Sequence, residues 1–355
     1  MQHSPSPAPS TAPSTAPSTA MSPLLEVSNL GITLNTHRGP VQAVRDVSFT
    51  LARGETLGLI GESGSGKSIT ATALLGLLPN GASTQGSVRF GGQELLGLSD
   101  KAMCAIRGQR IGMIFQEPMT ALNPVHTIGN QVAEPLRLHR GLSAKQARQA
   151  ALALLDRVGI PQPAQRIDSY PHQFSGGQRQ RITIAMALAC GPELLIADEP
   201  TTALDVTVQQ QILDLIADLV DEHQMSLILI SHDLGVISQN ADRMLVMYGG
   251  SVVESGSTEQ VFDHMAHPYT RGLLAARPRV AGLHSQAGAR LQTIPGTVPE
   301  LADLPAGCAF AGRCAFTETA CWTQRLPERE LQPAHLVRCL RDEAIAGHMT
   351  AGVDA

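Results

Sequence analysis

The stretch Gly61-Glu62-Ser63-Gly64-Ser65-Gly66-Lys67-Ser68 decides the fold, because it fits the G-x-x-x-x-G-K-[ST] pattern of a phosphate-binding loop. The apolar run 56–60 before it predicts a buried strand, and residues 69–75 after it can form a helix. Glycines let backbone N–H groups turn around phosphate oxygens, and a helix N-terminus favours an anion. We therefore expect Lys67 to reach the β- and γ-phosphates of a nucleotide and Ser68 to ligate Mg²⁺.

The bulk composition limits the possible functions. Of the 355 residues, 43% are hydrophobic but only 3% are aromatic, so the core must be built mainly from aliphatic side chains. The formal net charge of −5 argues against nonspecific binding to nucleic acid, which needs a positive surface. No apolar run approaches the length of about 20 residues that a bilayer span requires. We therefore expect that the chain does not itself cross a membrane.

The order of the patterns along the chain predicts three parts. Residues 1–20 consist mostly of Pro, Ser, Thr and Ala, and we expect a disordered tail there. Residues 21–265 predict an α/β domain, with continuous apolar strands typical of a mostly parallel sheet covered on both faces. Helical patterns over about 117–183 predict an inserted helical subdomain, and residues 266–355 form a C-terminal extension.

Polar groups follow several predicted strands and precede several predicted helices. In chain order they are Gln116, Ser175-Gly176-Gly177-Gln178, Asp198-Glu199, Asp205 and His232. Each is ambiguous when taken singly, since a carboxylate pair can be a solvated turn, a single histidine is more often structural, and Ser-Gly-Gly turns before helices are common. The informative feature is that all of them follow the phosphate loop in one particular order.

That order resembles the nucleotide-binding domain of ATP-binding-cassette (ABC) proteins over roughly residues 24–256. The resemblance implies a P-loop, RecA-like α/β fold and the binding of ATP and Mg²⁺. It implies that Asp198 holds the Mg²⁺ shell and that Glu199 polarises the water that attacks the γ-phosphate. It also implies that His232 bonds the γ-phosphate, while Gln116 senses the γ-phosphate or the metal. Separate groups for metal and base are what phosphoryl transfer to water needs.

The resemblance also implies a second anion cradle that acts on another subunit. Ser175, Gly176, Gly177 and Gln178 begin a helix, where backbone N–H groups favour an anion. In the family this cradle covers the ATP held by the opposite subunit, so two ATPs are enclosed in a dimer. Asp205 is then expected to lie across the dimer line.

One feature of the family is absent from this sequence. ABC domains usually stack adenine on an aromatic side chain near the first strands, but no Phe, Tyr or Trp occurs between Met21 and Asp46. Val41 and Leu34 are the candidate apolar platforms for the base, and the sequence does not choose between them.

Three further stretches narrow the resemblance to the dipeptide/oligopeptide/nickel importer ATPases, and specifically to their D-type subunit. They are Phe115–Pro124, Thr201–Thr207 and His267–Thr270. The resemblance implies uptake of peptides, or of nickel or another small solute, coupled to ATP hydrolysis. It also implies a second ATPase subunit in a heterodimer, two transmembrane permease subunits, an extracytoplasmic solute-binding protein, and a place on the cytoplasmic face of the inner membrane. The surface around 117–134 is then expected to receive the permease.

Four cysteines in the extension follow the spacing C-x5-C-x6-C-x17-C. They are Cys308, Cys314, Cys321 and Cys339. Free thiols remain possible, disulfides are disfavoured in a reducing compartment, and zinc sites usually show short C-x2-4-C pairs that are absent here. An iron–sulfur cluster also takes four thiolates, and the family resemblance favours [4Fe–4S]. Arg313 and Arg338, each beside a cysteine, are then expected to offset thiolate charge.

Two other classes of function compete with an import ATPase. A soluble ABC ATPase that acts on DNA or ribosomes typically has paired cassettes, coiled-coil insertions or basic arms, whereas this chain has one cassette and a negative net charge. A nucleotide-binding module without turnover is disfavoured because the four residues that hydrolysis needs are intact. These are Lys67, Asp198, Glu199 and His232.

Overall fold

The phosphate loop connects a strand to a helix, as the sequence predicts. In the computed structural model, which describes residues 22–202, 204–276 and 293–342, β3 (Thr56–Ile60) leads into the loop and α1 (Lys67–Leu74) follows it. Gly66 precedes the helix with a φ of 105°, a conformation that glycine adopts without the strain of a side chain. The tail expected over 1–20 lies outside the described residues.

The remaining strands and helices are mixed along the chain, with five consecutive helices between β6 and β7. The strands are β1 (Leu25–Thr36), β2 (Gly39–Leu51), β4 (Ser83–Phe90), β5 (Gln93–Glu94), β6 (Ile111–Ile114), β7 (Leu194–Asp198), β8 (Ser226–Ser231), β9 (Arg243–Tyr248), β10 (Ser251–Ser257), β11 (Arg329–Gln332) and β12 (His335–Val337). The helices are α2 (Asp100–Cys104), α3 (Pro118–Ala121), α4 (Ile128–Arg140), α5 (Ala144–Arg157), α6 (Pro163–Arg166), α7 (Gly176–Leu188), α8 (Val206–His223), α9 (Leu234–Asn240), α10 (Thr258–His264), α11 (Pro268–Ala275) and α12 (Thr319–Thr323). Single 3₁₀ turns lie at Pro171–Gln173, Leu301–Asp303 and Ala311–Arg313.

The larger sheet places the polar groups together. Its strand order within the described ranges is β11-β12-β10-β9-β3-β8-β7-β6. The strands from β9 to β6 are parallel neighbours, so their carboxyl ends lie at one edge of the sheet. Ligands of open α/β sheets bind at that edge. The phosphate loop, Gln116, Glu199 and His232 follow β3, β6, β7 and β8 there, and Asp198 is the last residue of β7.

The other end of the sheet is antiparallel, and the C-terminal extension supplies part of it. Strand β12 pairs with β10, where Glu254 lies opposite Val337. The carboxylate of Glu254 is fully buried and lies 2.9 Å from Nε2 of His335. It also accepts the backbone N–H groups of Ala266 at 2.7 Å and His267 at 2.9 Å. The extension therefore shares the sheet of the α/β domain, and the domain boundary between 265 and 266 stays a prediction.

Two large clusters of mainly aliphatic side chains form most of the core of the described residues, and a small third cluster consists of Ala266, Val337 and Cys339. One fills the space between the larger sheet and the antiparallel sheet β2-β1-β4-β5. The other lies under helices α4, α5, α7 and α8, and the extension adds Cys308, Phe310 and Cys321 to it. Among the described residues, no helix combines the length and the hydropathy that crossing a bilayer requires.

Candidate functional site

The phosphate loop is tightly packed and its lysine is buried. A Cβ atom on Gly61 would lie 2.2 Å from the carbonyl oxygen of Met247, so only glycine fits there. The side chain of Lys67 is 4% exposed, and its Nζ donates to the carbonyl oxygens of Gly61 at 2.7 Å and Glu62 at 3.1 Å. Burial lowers the pKa of Lys67, while nearby carboxylates oppose that shift. The lysine thus bonds to loop carbonyls that phosphate oxygens can replace.

Ser68 and Asp198 meet beside the loop and fit a magnesium ion. The hydroxyl of Ser68 donates to Oδ1 of Asp198 at 3.0 Å. Burial raises the pKa of Asp198, with the hydrogen bond from Ser68 acting in the opposite direction. Mg²⁺ prefers oxygen ligands and usually binds through one or two carboxylates together with substrate phosphates and water. These two oxygen donors, next to a loop shaped for phosphates, are consistent with that kind of site.

Glu199 is the centre of a hydrogen-bond network. Its Oε2 accepts from Thr202 Oγ1 at 2.9 Å and from Gln116 Nε2 at 3.2 Å, and it lies 3.2 Å from Nδ1 of His232. Its Oε1 is 4.0 Å from Nζ of Lys67. The hydrogen bond with His232 is the main cause that lowers the pKa of Glu199 to about 2, and it raises the pKa of His232. Glu199 is therefore an ionised carboxylate at neutral pH.

The backbone at Glu199 is also unusual. Its φ of 45° lies in the left-handed region, which residues other than glycine seldom adopt. Such conformations are costly and concentrate at functional sites, where the surrounding structure holds them in place. Here the Glu199 N–H donates to the carbonyl of Ile230 at 3.0 Å, which fixes the residue against the neighbouring strand.

The second cradle lies apart from this network. Ser175 caps α7 and forms a capping box with Gln178, and its side chain is exposed. Asp205 caps α8 by accepting the N–H of Val208 at 3.0 Å and is also exposed. None of Ser175, Gly176, Gly177, Gln178 and Asp205 lines either of the two clefts beside the phosphate loop. The structure therefore does not bring them to the ATP site of their own chain.

Packing, as well as the proposed function, explains why a glycine occupies position 177. A Cβ atom there would lie 2.7 Å from Cγ1 of Val208, so the close approach of α7 and α8 needs a glycine. Gln178 likewise has structural partners, because its Oε1 accepts the N–H of Ser175 at 3.3 Å. The helix start is thus held by contacts within the chain.

The C-terminal extension forms one wall of the candidate active site. One cleft has Glu199 and His232 on one side and residues 293–298 of the extension on the other. A second cleft beside the loop is lined by Leu34, Ala43 and Leu301. Of the two candidate platforms for adenine, Leu34 lines this cleft, whereas Val41 does not. Leu301 adds an apolar group that sequence reasoning did not consider.

The four cysteines of the extension line a smaller pocket that is separate from these two clefts. Cys308, Cys314, Cys321 and Cys339 all line it, together with apolar side chains that include Phe310. Burial raises the pKa of Cys308 to about 12 and that of Cys339 to about 11. In the described part of the chain, no group of three or more His, Cys, Asp or Glu side chains is placed to hold a metal ion. The placement of these thiols therefore supports neither a single metal ion nor a metal cluster.

The expected role of the two arginines beside the cysteines is wrong. Arg313 does not face the thiols but binds Glu62 of the phosphate loop at 2.6 and 3.1 Å. Arg338 donates to the carbonyl oxygen of Asp46 at 3.0 Å and lies 3.4 Å from Glu328. Both guanidinium groups have carboxylates or carbonyls available, and these attract them more strongly than neutral thiols do.

Two residues near the phosphate loop were missed by sequence reasoning. The hydroxyl of Tyr269 accepts the backbone N–H of Glu62 at 2.7 Å, and Tyr269 is fully buried. Thr202 bonds the carboxylate of Glu199. Tyr269 belongs to the His267–Thr270 stretch that carries the family resemblance, but nothing in its spacing shows that it contacts a loop 207 residues away.

Comparison with known proteins agrees with this geometry. The sequence matches the ABC transporter family over residues 44–202 and the family described as "Oligopeptide/dipeptide transporter, C-terminal region" over residues 253–321. A Brucella abortus (strain 2308) protein named for peptide import and ATP binding is 55% identical over 301 residues, 84% of this chain and 90% of that protein. A Brucella melitensis biotype 1 protein of the same description is 50% identical over 333 residues, 91% of this chain and 98% of that protein.

Solved structures show the same fold. A dimeric ATP-binding cassette in a post-hydrolysis state, bound to ADP and Pi, superimposes with a TM-score of 0.60 at 29% identity, covering 66% of this chain and 98% of its own. The cbiO1 protein from Clostridium perfringens, part of an ABC transporter complex, gives a TM-score of 0.58 at 27% identity, covering 68% of this chain and 92% of its own. The α/β cassette fold expected from the sequence is therefore confirmed.

Proposed function

This chain belongs to the ATP-binding proteins of ABC transporters, and on that premise we propose that it hydrolyses ATP to drive the import of di- or oligopeptides through a membrane permease. The observation that carries hydrolysis is the ionised Glu199 held among Lys67, Gln116 and His232 at the end of the parallel sheet. Peptide import is supported by relatives named for it that match 84% and 91% of the chain. The same machinery importing nickel or another small solute is the alternative.

The geometry supports a separate role in hydrolysis for each group of residues. The loop from Gly61 to Ser68 and the ammonium group of Lys67 bind the phosphates of ATP. Ser68 and Asp198 would hold Mg²⁺, with Gln116 at its edge, and the bound ion would neutralise charge on the phosphate oxygens. Glu199 accepts a proton from the attacking water. His232 and Gln116, which bond Glu199 in the structure, orient that water and the γ-phosphate.

The second cradle suits a role between subunits. Ser175, Gly176, Gly177 and Gln178 are ordered at the start of a helix, yet they lie outside the clefts of their own phosphate loop. Their N–H groups and the helix N-terminus favour an anion from outside the chain. We infer that they cover the ATP of a second ATPase subunit, with Asp205 beside the dimer line. The D-type sequence features favour a heterodimer.

The surface of the helical subdomain suits a membrane partner. Within the stretch 117–134, Met119 is 63% exposed and Val125 is 74% exposed, and the neighbouring Phe115 is 45% exposed. Three exposed apolar side chains so close in sequence favour a site of protein interaction. We infer that this surface docks onto two permease subunits fed by an extracytoplasmic solute-binding protein. The chain then lies on the cytoplasmic face of the inner membrane and has no nucleic-acid partner.

A reconstituted transporter tests the function directly. The chain, its partner ATPase and the permease pair are placed in lipid vesicles, and ATP hydrolysis and uptake are measured with the binding protein loaded with labelled di- or oligopeptides. Uptake that needs both ATP and peptide-loaded binding protein is expected. Uptake of Ni²⁺ without any peptide uptake would favour the alternative solute, and hydrolysis unaffected by the permease would contradict a transport role.

We further propose that the four cysteines hold a metal centre, for which a [4Fe–4S] cluster is the best candidate. The support is that Cys308, Cys314, Cys321 and Cys339 line one apolar pocket, where burial raises the pKa of the Cys308 and Cys339 thiols, which therefore keep their protons at neutral pH. Binding to a metal would release those protons. A single ion needs all its ligands within about 2.3 Å, whereas a cluster of several iron and sulfide ions spans a wider set of thiolates. The centre would tie the extension together.

Metal analysis of anaerobically purified protein checks this proposal. We expect about four iron atoms and four acid-labile sulfides for each chain, with visible absorption, because four thiolates ligate one cluster. Cys308→Ser should lose most of this iron, whereas Cys104→Ser, which changes an exposed thiol outside the pocket, should keep it. A colourless protein with one zinc ion for each chain, or with four freely titrating thiols in the pocket, would contradict the cluster.

A further inference from the structure

The C-terminal extension reaches into the phosphate loop through one arginine. Nη1 of Arg313 is 2.6 Å from Oε2 of Glu62, and Nη2 is 3.1 Å from Oε1, so the guanidinium holds both carboxylate oxygens. The Arg313 side chain is 6% exposed and the Glu62 side chain is 28% exposed. Paired bonds of this kind between arginine and carboxylate are among the stronger and more directional contacts in proteins.

The extension fixes Arg313 independently of Glu62. Arg313 ends the 3₁₀ turn Ala311–Arg313, and its Nε donates to the carbonyl oxygen of Pro295 at 2.9 Å. Its guanidinium lies 5.9 Å from the ring centres of Tyr248 and Phe310, within the range of a cation–π interaction. The arginine is therefore also held by contacts that do not involve Glu62.

A second contact from the same side holds the backbone of Glu62. The buried hydroxyl of Tyr269 accepts its N–H at 2.7 Å. The rings of Tyr269, Tyr248 and Phe310 pack at 4.7 to 5.4 Å from one another. Tyr269 thus holds the main chain of Glu62, and Arg313 holds its side chain. Both residues are far from the loop in sequence.

The charge of Glu62 makes this contact important for the substrate. Glu62 is the second residue of a loop that binds the polyanionic phosphates of ATP, and a bare carboxylate there would repel them. We propose that Arg313 is a positioning residue for nucleotide binding, which neutralises Glu62 and holds it away from the phosphates. This inference rests on ATP binding at the loop, and it assigns the extension a direct part in nucleotide affinity.

The competing explanation is that the pair of Arg313 and Glu62 only ties the extension to the loop. A double variant distinguishes this explanation from neutralisation of the Glu62 charge. In the full chain, Arg313→Met should weaken the binding of MgATP and MgADP by about tenfold, because it leaves the charge on Glu62 unpaired. Adding Glu62→Gln removes that charge and should restore affinity to within about threefold of wild type. A tether would show no such rescue, since both its ends are then lost.

Affinity is measured by calorimetry, and the steady-state rate is measured beside it. We expect Arg313→Met to raise KM for ATP by about tenfold and to change kcat by less than about threefold, since the lost interaction stabilises the ground state and the transition state equally. Arg313→Lys should fall between wild type and Arg313→Met, because lysine keeps the charge without the paired bonds. Glu62→Gln alone should bind nucleotide more tightly than Arg313→Met does, because it removes the repelling charge without altering the extension.

Arg325→Met is the matched control. Arg325 is also an arginine of the extension paired with a carboxylate outside it, Asp46 at 2.9 Å, but it lies away from the phosphate loop. Its loss should leave nucleotide affinity unchanged. Unchanged affinity in Arg313→Met, or a double variant that binds no better than Arg313→Met, would overturn the inference. Wild-type protein that binds no nucleotide would instead overturn the proposed function on which the inference rests.

Discussion

Glu199→Gln should lower ATP turnover by about 100-fold or more while ATP still binds, because general base catalysis contributes factors of that size. Glutamine has the same shape and can keep the bonds to Thr202 and His232 through its amide. It has no carboxylate to accept a proton from the attacking water. Since Glu199 is ionised, the substitution removes a charge that is present, and the ATP-bound closed dimer should accumulate.

The measurement is phosphate release by the chain with its partner ATPase, alongside equilibrium ATP binding. Glu222→Gln is a suitable control, because Glu222 is an ion-paired carboxylate on the exposed side of α8, outside the site. It should hydrolyse ATP as wild type does. Turnover by Glu199→Gln within about twofold of wild type would show that another group takes the proton.

The ATP site was predictable because its residues come from short, continuous patterns. A phosphate loop between a strand and a helix can be recognised locally, and the carboxyl ends of parallel strands must meet at one edge of the sheet. The order of the later patterns resembles that of ABC nucleotide-binding domains, and this resemblance predicted that Asp198, Glu199 and His232 act with Lys67 at one site. The proposed roles of these residues remain predictions, although the geometry favours them.

The contribution of the extension was not predictable in the same way. Arg313 and Glu62 are 251 residues apart, and their pairing depends on how β12 adds to the sheet beside β10. Sequence reasoning assigned Arg313 to the thiolates because Cys314 is its neighbour. Proximity along the chain is a poor guide here, since buried thiols stay neutral and a carboxylate is the stronger partner for arginine. Leu301, in the cleft beside Leu34, was missed for the same reason.

Ser175→Arg should reduce ATP hydrolysis by about tenfold or more in the assembled ATPase pair, while ATP affinity of the isolated chain stays within about twofold. Ser175 is exposed and lies outside the clefts of its own phosphate loop, so its substitution cannot block the nucleotide there. A large side chain at this helix start would instead prevent it from closing over the ATP of the partner subunit.

Ser143→Arg separates this effect from the loss of a helix cap. Ser143 caps α5 and forms a capping box with Gln146, just as Ser175 does with Gln178 at α7, so either substitution costs about 1 kcal/mol of helix stability. Only Ser175 starts the helix that is proposed to meet the second nucleotide. Hydrolysis should therefore survive Ser143→Arg and fail in Ser175→Arg. If the isolated Ser175→Arg chain lost its ATP affinity instead, the cradle would act within its own subunit, and the proposed dimer arrangement would be wrong.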